Sequence, residues 1–295
     1  MIKTIEATQL PIRALDHGEG ACWWAQKQAL LWVDIHGGEV HLYDPVTGED
    51  RMWKAPSHVG FAHPTTRGDV ILGIQDGIAR LDLDSGEVKK LVDPEAELGD
   101  QTRMNDGKPG PDGRLYAGTM AYSEEEPIGS LWRIEKDFSY TRIIDGVTVS
   151  NGLCWSADGG TFYYIDSPTR QVVAYDFDLG TGDLSNRRVV IEVAEADGFP
   201  DGMTIDAAGY LWVAHWEGSM VGCYDPRSGE MIAKVTCPAP KVTCPSFGGP
   251  ELDTLYFTTS QVGSEQLPPQ IAETTGCLYA CKPGVKGMPG HHFVG

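Results

Sequence analysis

No stretch of the 295 residues approaches the roughly 20 consecutive apolar residues that a membrane-crossing helix needs. Met1–Gly20 contains no apolar run either, so no secretory leader is expected there. Positive charge is scarce: 23 Lys and Arg stand against 42 Asp and Glu, a formal net charge of −19. Such a chain repels phosphate backbones and anionic headgroups, which excludes nucleic acid and membrane as expected partners. No obligate protein partner is evident. The seven cysteines, Cys22, Cys154, Cys223, Cys237, Cys244, Cys277 and Cys281, are odd in number and show no Cys-x-x-Cys spacing. That argues against a disulfide framework or zinc knuckle and for free thiols in the reducing cytoplasm. The eight histidines form no His-Glu-x-x-His motif, and His291–His292 reads as a terminal strand edge. There is no Gly-x-Ser-x-Gly elbow, P-loop or dinucleotide-binding glycine pattern, so a serine hydrolase and a nucleotide enzyme are disfavoured.

What the chain does have is a recurring phrase. An apolar strand is followed by a charged strand that ends in an Asp-Pro or acidic-Gly turn, about every 45 residues. It begins near Leu30, Asp69, Arg114, Thr161, Tyr210 and Thr254. Period-2 alternation and short polar turns mark antiparallel hairpins. Six such units predict an all-β, six-bladed propeller with four-stranded antiparallel blades around a central channel, one domain over residues 1–295. The alternating segment Ile2–Gln9 is expected to join the last blade as an extra strand, and Gly290–Gly295 to belong to that blade too.

Ten to twelve positions before each central strand lies a shared address. Glu19 occupies it in the first unit, Asn105 in the third, Asn151 in the fourth and Asp201 in the fifth. Gly60 and Pro245–Ser246 stand near it in the second and sixth. Asn-Gly and Asp-Gly are also turn signals when read singly. A common position at the start of inner strands instead directs these side chains into one channel. Glu19, Asn151 and Asp201 then offer oxygen donors only, a set that suits hard divalent cations such as Ca²⁺, Mg²⁺ or Mn²⁺. Carboxylates also bind zinc. A cation further explains how two facing carboxylates stay ionised.

The phrases GEGACWW (18–24), RMNDGKPGPDGRLYAGTM (103–120), SNGLCWSADGGTFYYIDS (150–167), FPDGMTIDAAGYLWVA (199–214) and FGGPELDTLYFT (247–258) resemble the regucalcin (senescence marker protein), gluconolactonase and luciferin-regenerating enzyme family. The resemblance spans nearly the whole chain. It implies a six-bladed propeller with one divalent metal ion (Ca, Mg, Mn, Zn or Fe) held by Glu19, Asn151 and Asp201. It also implies substrate contacts from Arg103 and Asn105, with Asp201 as general base. In regucalcin-like members an acidic pair follows the GTM phrase and one member reaches substrate hydroxyls. Here Ala121-Tyr122-Ser123 intervenes before Glu124–Glu126, and Glu124 is the candidate for that contact. The loop Ala121–Ile128 is expected to lie over the funnel.

The expected activity is metal-dependent hydrolysis of small sugar aldonolactones to aldonic acids. A non-catalytic calcium-binding or regulatory protein is the rival of a different class. An esterase or organophosphate hydrolase on the same scaffold is a second enzymatic rival.

Overall fold

The computed structural model describes residues 2–295 and consists of six sheets set around a channel, antiparallel but for one added strand. In the first, Gly18–Trp24, Ala29–Asp34, Glu39–Tyr43 and Asp50–Lys54 pair in chain order from the centre outwards. The same order starts again at the inner strands Val59–Pro64, Thr102–Pro109, Ser150–Trp155, Phe199–Ile205 and Val242–Gly248. Each inner strand contacts the next, and the sixth contacts the first, so the ring closes with no free edge at its centre. This is a six-bladed β-propeller. Its only α-helix is the four-residue turn Pro269–Ala272 among the described residues, and no helix is long and apolar enough to cross a membrane.

The sequence period has a local cause. Between third and fourth strands, Asp44, Asp82, Asp178 and Asp225 each accept the backbone N–H two residues on. Each also binds, through its carbonyl, the N–H of the glycine four residues on. Those glycines, such as Gly48 at φ +77°, hold the left-handed conformation that lets the strand turn back. Burial grades outward. The inner strand Gly18–Trp24 is buried throughout, whereas the outer strand Asp50–Lys54 is largely exposed. Apolar side chains interlock between blades: Leu31, Val33 and Val40 of the first pack with Ala62, Val70 and Leu72 of the second.

Both termini depart from expectation. Ile2–Gln9 does not form one strand of the last blade. Lys3–Glu6 pairs in parallel with Met231–Thr236 as a fifth strand of blade five, and only Thr8–Gln9 joins blade six, beside Tyr279–Cys281. The outermost strands of two neighbouring blades each leave unpaired backbone groups, and one short segment satisfies both. Gly290–Gly295 does not belong to the last blade either. It crosses under the ring to blades two and three, where Phe293 bridges Thr65 and is fully buried with Phe61, Ile71 and Met104. Burial of that phenyl ring decides where the tail lies. His291–His292 is accordingly not a strand edge but part of this crossing.

Candidate active site

Every inner strand carries a register shift near its start, between Glu19 and Cys22, Val59 and Phe61, Met104 and Gly107, Asn151 and Leu153, Pro200 and Met203, and Val242 and Pro245. The Asn-Gly and Asp-Gly pairs are therefore β-bulges inside strands rather than turns. A bulge re-aims one side chain out of the sheet pattern, here into the channel. The glycine that follows is required by crowding. A Cβ on Gly152 would stand 2.7 Å from the carbonyl oxygen of Asp201, and one on Gly202 would stand 2.6 Å from that of Thr243. In the sixth blade the equivalent position is thus Thr243, two residues before the expected Pro245–Ser246.

Six predicted residues, Glu19, Arg103, Asn105, Glu124, Asn151 and Asp201, line one cavity of about 220 Å³ at this end of the channel. His17, Met120, Val149, Phe199 and Trp216 complete most of its wall. Glu19, Arg103, Asn105, Asn151 and Asp201 are all buried. Glu124 enters from the loop after Leu115–Ala121 with its backbone at φ +59°, an uncommon conformation for a non-glycine residue. Glu125 and Glu126 do not reach the cavity.

The two asparagines are held differently. Asn105 Oδ1 accepts from Arg103 Nη1 at 2.6 Å, and its Nδ2 donates to the Ser150 carbonyl at 2.8 Å. Asn151 Nδ2 donates to Ser167 Oγ at 2.9 Å, and Ser167 donates onward to the Pro200 carbonyl at 2.7 Å. Asn151 Oδ1 has no protein partner and is left to face the cavity, whereas Asn105 Oδ1 is already occupied. Ser167 lies within the phrase YIDS, and nothing in the sequence marks its hydroxyl as the group that orients Asn151.

Glu19 Oε2 accepts the Gly20 N–H at 2.7 Å. Its pKa is nonetheless raised, first by burial and then by the Asp106 carboxylate. Asp201 is raised well above the carboxylate range by burial, then by Glu19 and Asp106. Burial also lowers the Arg103 pKa, opposed by Tyr122, Glu124, Glu19 and Asp201. Two desolvated carboxylates facing one another with one free amide oxygen form a donor set that a hard divalent cation would relieve and complete. Among the described residues no three His, Cys, Asp or Glu side chains group as a metal site, and the set here depends on the Asn151 amide.

From the cavity wall runs a line of rings, in which His17, close to Glu19 in sequence, and Trp216, just after a central strand, are the two that the sequence singles out. Trp216 stacks on His17 at 5.6 Å between centroids, His17 meets His36 at 5.0 Å, and His36 meets His58 at 5.5 Å. The Tyr122 hydroxyl stands 3.1 Å from His58 Nδ1, which ties the Glu124 loop to the second blade.

Residues 17–261 match the SMP-30/Gluconolactonase/LRE-like region. The chain is 40% identical over 82% of its length to YvrE of Bacillus subtilis, named as a candidate sugar lactone lactonase, of which 83% is covered. It is 36% identical over 88% of its length to the pentonolactonase XacC of Haloferax volcanii, of which 87% is covered. Among solved structures it resembles a luciferin-regenerating enzyme, at 31% identity and a TM-score of 0.90, over 97% of this chain and 98% of the other.

Proposed function

Because the chain belongs to the SMP-30/gluconolactonase/LRE-like family, we propose that it hydrolyses small sugar lactones in the upper cavity, with one divalent cation held by Glu19, Asn151 and Asp201. The observation that carries this reading is the convergence of two buried carboxylates and a free amide oxygen opposite the Arg103–Asn105 pair. A bound divalent ion supplies Lewis-acid polarisation of a carbonyl and a lowered pKa for water.

The chain's own residues supply the rest. Asp201 takes the proton from the attacking water, a task that needs a carboxylate at the reacting centre. The guanidinium of Arg103 has one N–H group on Asn105 and one contact to the Met104 carbonyl, so its remaining donors are free for lactone or hydroxyl oxygens. Asn105 is held rigid between Arg103 and Ser150 and fixes that fork. Glu124 accepts from ring hydroxyls. Met120, Val149, Phe199 and Trp216 offer apolar surface to the carbon skeleton and keep bulk water from the ring. Water adds to the carbonyl carbon, the acyl C–O bond of the ring breaks, and the ring oxygen takes the proton that Asp201 accepted and leaves as a hydroxyl on an aldonic acid. The pentonolactonase name of one relative supports a lactone substrate.

The test is a panel of aldonolactones assayed after chelation and after return of Ca²⁺, Mg²⁺, Mn²⁺, Zn²⁺ and Fe²⁺. Turnover should vanish on chelation and return with at least one ion. Undiminished hydrolysis by demonstrably metal-free protein would overturn the metal assignment. Tight metal binding with no lactone turnover across the panel would favour the non-catalytic calcium-binding reading.

A further inference from the structure

The bulges place Glu19, Gly60, Asn105, Asn151, Asp201 and Thr243 at equivalent points of the six inner strands. The residue just before each of them pairs with a fixed place on the second strand of its blade. In the blades that carry Glu19, Asn151 and Asp201, Gly18 stands opposite Asp34, Ser150 opposite Asp166 and Pro200 opposite His215. In the other three blades the same place holds Ile74, Thr119 and Thr259, opposite Val59, Met104 and Val242. One register thus carries two kinds of side chain, divided along the line that separates the proposed metal ligands from the rest.

Asp34, Asp166 and His215 each hold the chain that leads into the inner strand. Asp34 accepts the N–H groups of Asp16 at 3.0 Å and His17 at 3.1 Å, through different oxygens. Asp166 accepts those of Thr148 at 3.2 Å and Val149 at 2.9 Å in the same way. The held residues stand three and two places before Glu19 and before Asn151. His215 Nδ1 meets the carbonyl of Asp197 at 2.8 Å, four places before Asp201. A carbonyl only accepts, so Nδ1 carries the proton and Nε2 accepts from the Tyr224 hydroxyl at 3.0 Å. The counterparts reach elsewhere. Thr119 bonds to Glu95 and Ser130, Thr259 donates to the Cys277 carbonyl, and Ile74 has no polar side-chain group.

We propose that Asp34, Asp166 and His215 are positioning residues for the metal site, each aiming one ligand by clamping the segment ahead of it. A bulged residue has less ladder pairing than its neighbours, so the backbone on either side sets its direction. Glycine crowding fixes the far side, at Gly152 and Gly202 for instance, and the clamp fixes the near side. The clamped segments also supply wall: His17, Val149 and Phe199, each two places before a proposed ligand, all line the cavity. Groups that orient the ligands of an ion change its affinity without touching it. The proposal rests on the metal reading of the upper cavity.

The experiment titrates metal-free protein with Mn²⁺ and, separately, Ca²⁺ by calorimetry. Asp34→Asn and Asp166→Asn keep shape but turn one accepting oxygen into a donor that opposes an N–H group. His215→Phe keeps a ring stacked on Tyr224 and removes the bond to Asp197. Each should weaken binding about 10- to 100-fold. Thr259→Val, at the same register in a blade without a proposed ligand, should lower Tm and leave the affinity unchanged. The losses should persist at high ionic strength, where the removal of a distant charge is screened. Folded variants that bind like wild type overturn the proposal, as do losses that vanish in salt or an equal loss in Thr259→Val. Failure of all three variants to fold would assign these residues to the fold and also overturn it. Wild-type protein that takes up neither ion overturns the metal reading together with this one, whereas wild-type uptake with unchanged variants overturns this one alone.

Discussion

Arg103 and Asn105 are joined by a 2.6 Å hydrogen bond from the guanidinium to the amide oxygen, which leaves Asn151 as the asparagine with a free oxygen toward the cavity. The two residues share an address in the repeat but should fail differently. Asn151→Ala should lose metal binding and activity together. Asn105→Ala should keep metal affinity within a few-fold and lower kcat/KM by about tenfold or more, as the Arg103 fork loses its anchor. Metal titration by calorimetry beside lactone kinetics separates the two. Equal loss of metal in both variants would show that the asparagines share one role.

Asp201→Asn removes a charge and the proposed base while keeping shape. Activity should fall by at least about 10²-fold, the scale of general-base and metal-activation chemistry. The stability effect runs the other way in metal-free protein. The folded pKa of Asp201 is raised, so its contribution to stability is present at low pH and is lost as pH rises through that pKa. Metal-free Asp201→Asn should therefore match the wild type in acid and exceed it in Tm above neutrality. A variant less stable than wild type at every pH would contradict the burial of an uncompensated carboxylate.

Metal binding should release protons. Glu19 and Asp201 both have raised pKa values in the metal-free protein, and a cation favours their ionised forms. Affinity for the divalent ion should fall as pH is lowered. Calorimetry in buffers of different ionisation enthalpy should give a net proton release at neutral pH. Zero release would mean that both carboxylates are already ionised without the ion.

The Tyr122–His58 contact should set substrate ranking rather than catalysis. Tyr122→Phe removes the hydroxyl that ties the Glu124 loop to the second blade. The expected result is a severalfold rise in KM that differs between lactones, with kcat and metal affinity little changed. Arg103→Lys should also reorder the panel, because an ammonium does not reproduce the planar fork of donors. Unaltered ranking in both variants would place selectivity elsewhere in the funnel.

Away from the channel, Glu39 provides a check on acid stability. Burial alone would raise its pKa, but hydrogen bonds from Lys54, Arg13 and His41 more than offset that and lower it to about 2. Its contribution is present above the ordinary carboxylate pKa and is lost as pH falls toward 2. Glu39→Gln should cost about 1–2 kcal/mol at pH 7, a figure reduced for solvent screening around the exposed Arg13 and Lys54. The difference should shrink steadily in acid, as read from denaturant unfolding at several pH values. A difference that persists at pH 2 would mean that the carboxylate's charge is not what matters.

The sequence alone determined the strands, the blades and their number. Alternation at period 2 and the Asp-to-Gly turns that close each third strand are local, and local geometry is written in neighbouring residues. It also aligned Glu19, Asn105, Asn151 and Asp201, because a ring of equivalent strands turns equal spacing into a common depth. Only the tertiary structure decided what depends on contacts between blades. The Asn-Gly and Asp-Gly pairs are bulges and not turns because neighbouring inner strands press against those glycines. Asn105 and Asn151 differ because Arg103 occupies one amide oxygen and Ser167 turns the other outward. Ile2–Gln9 is shared between two blades because two outer edges need partners, and the tail crosses to Thr65 because Phe293 finds its burial there. Six bulges also set one register among the inner strands, which brings Lys108 level with Cys22, Cys154 and Ser246 from far along the chain.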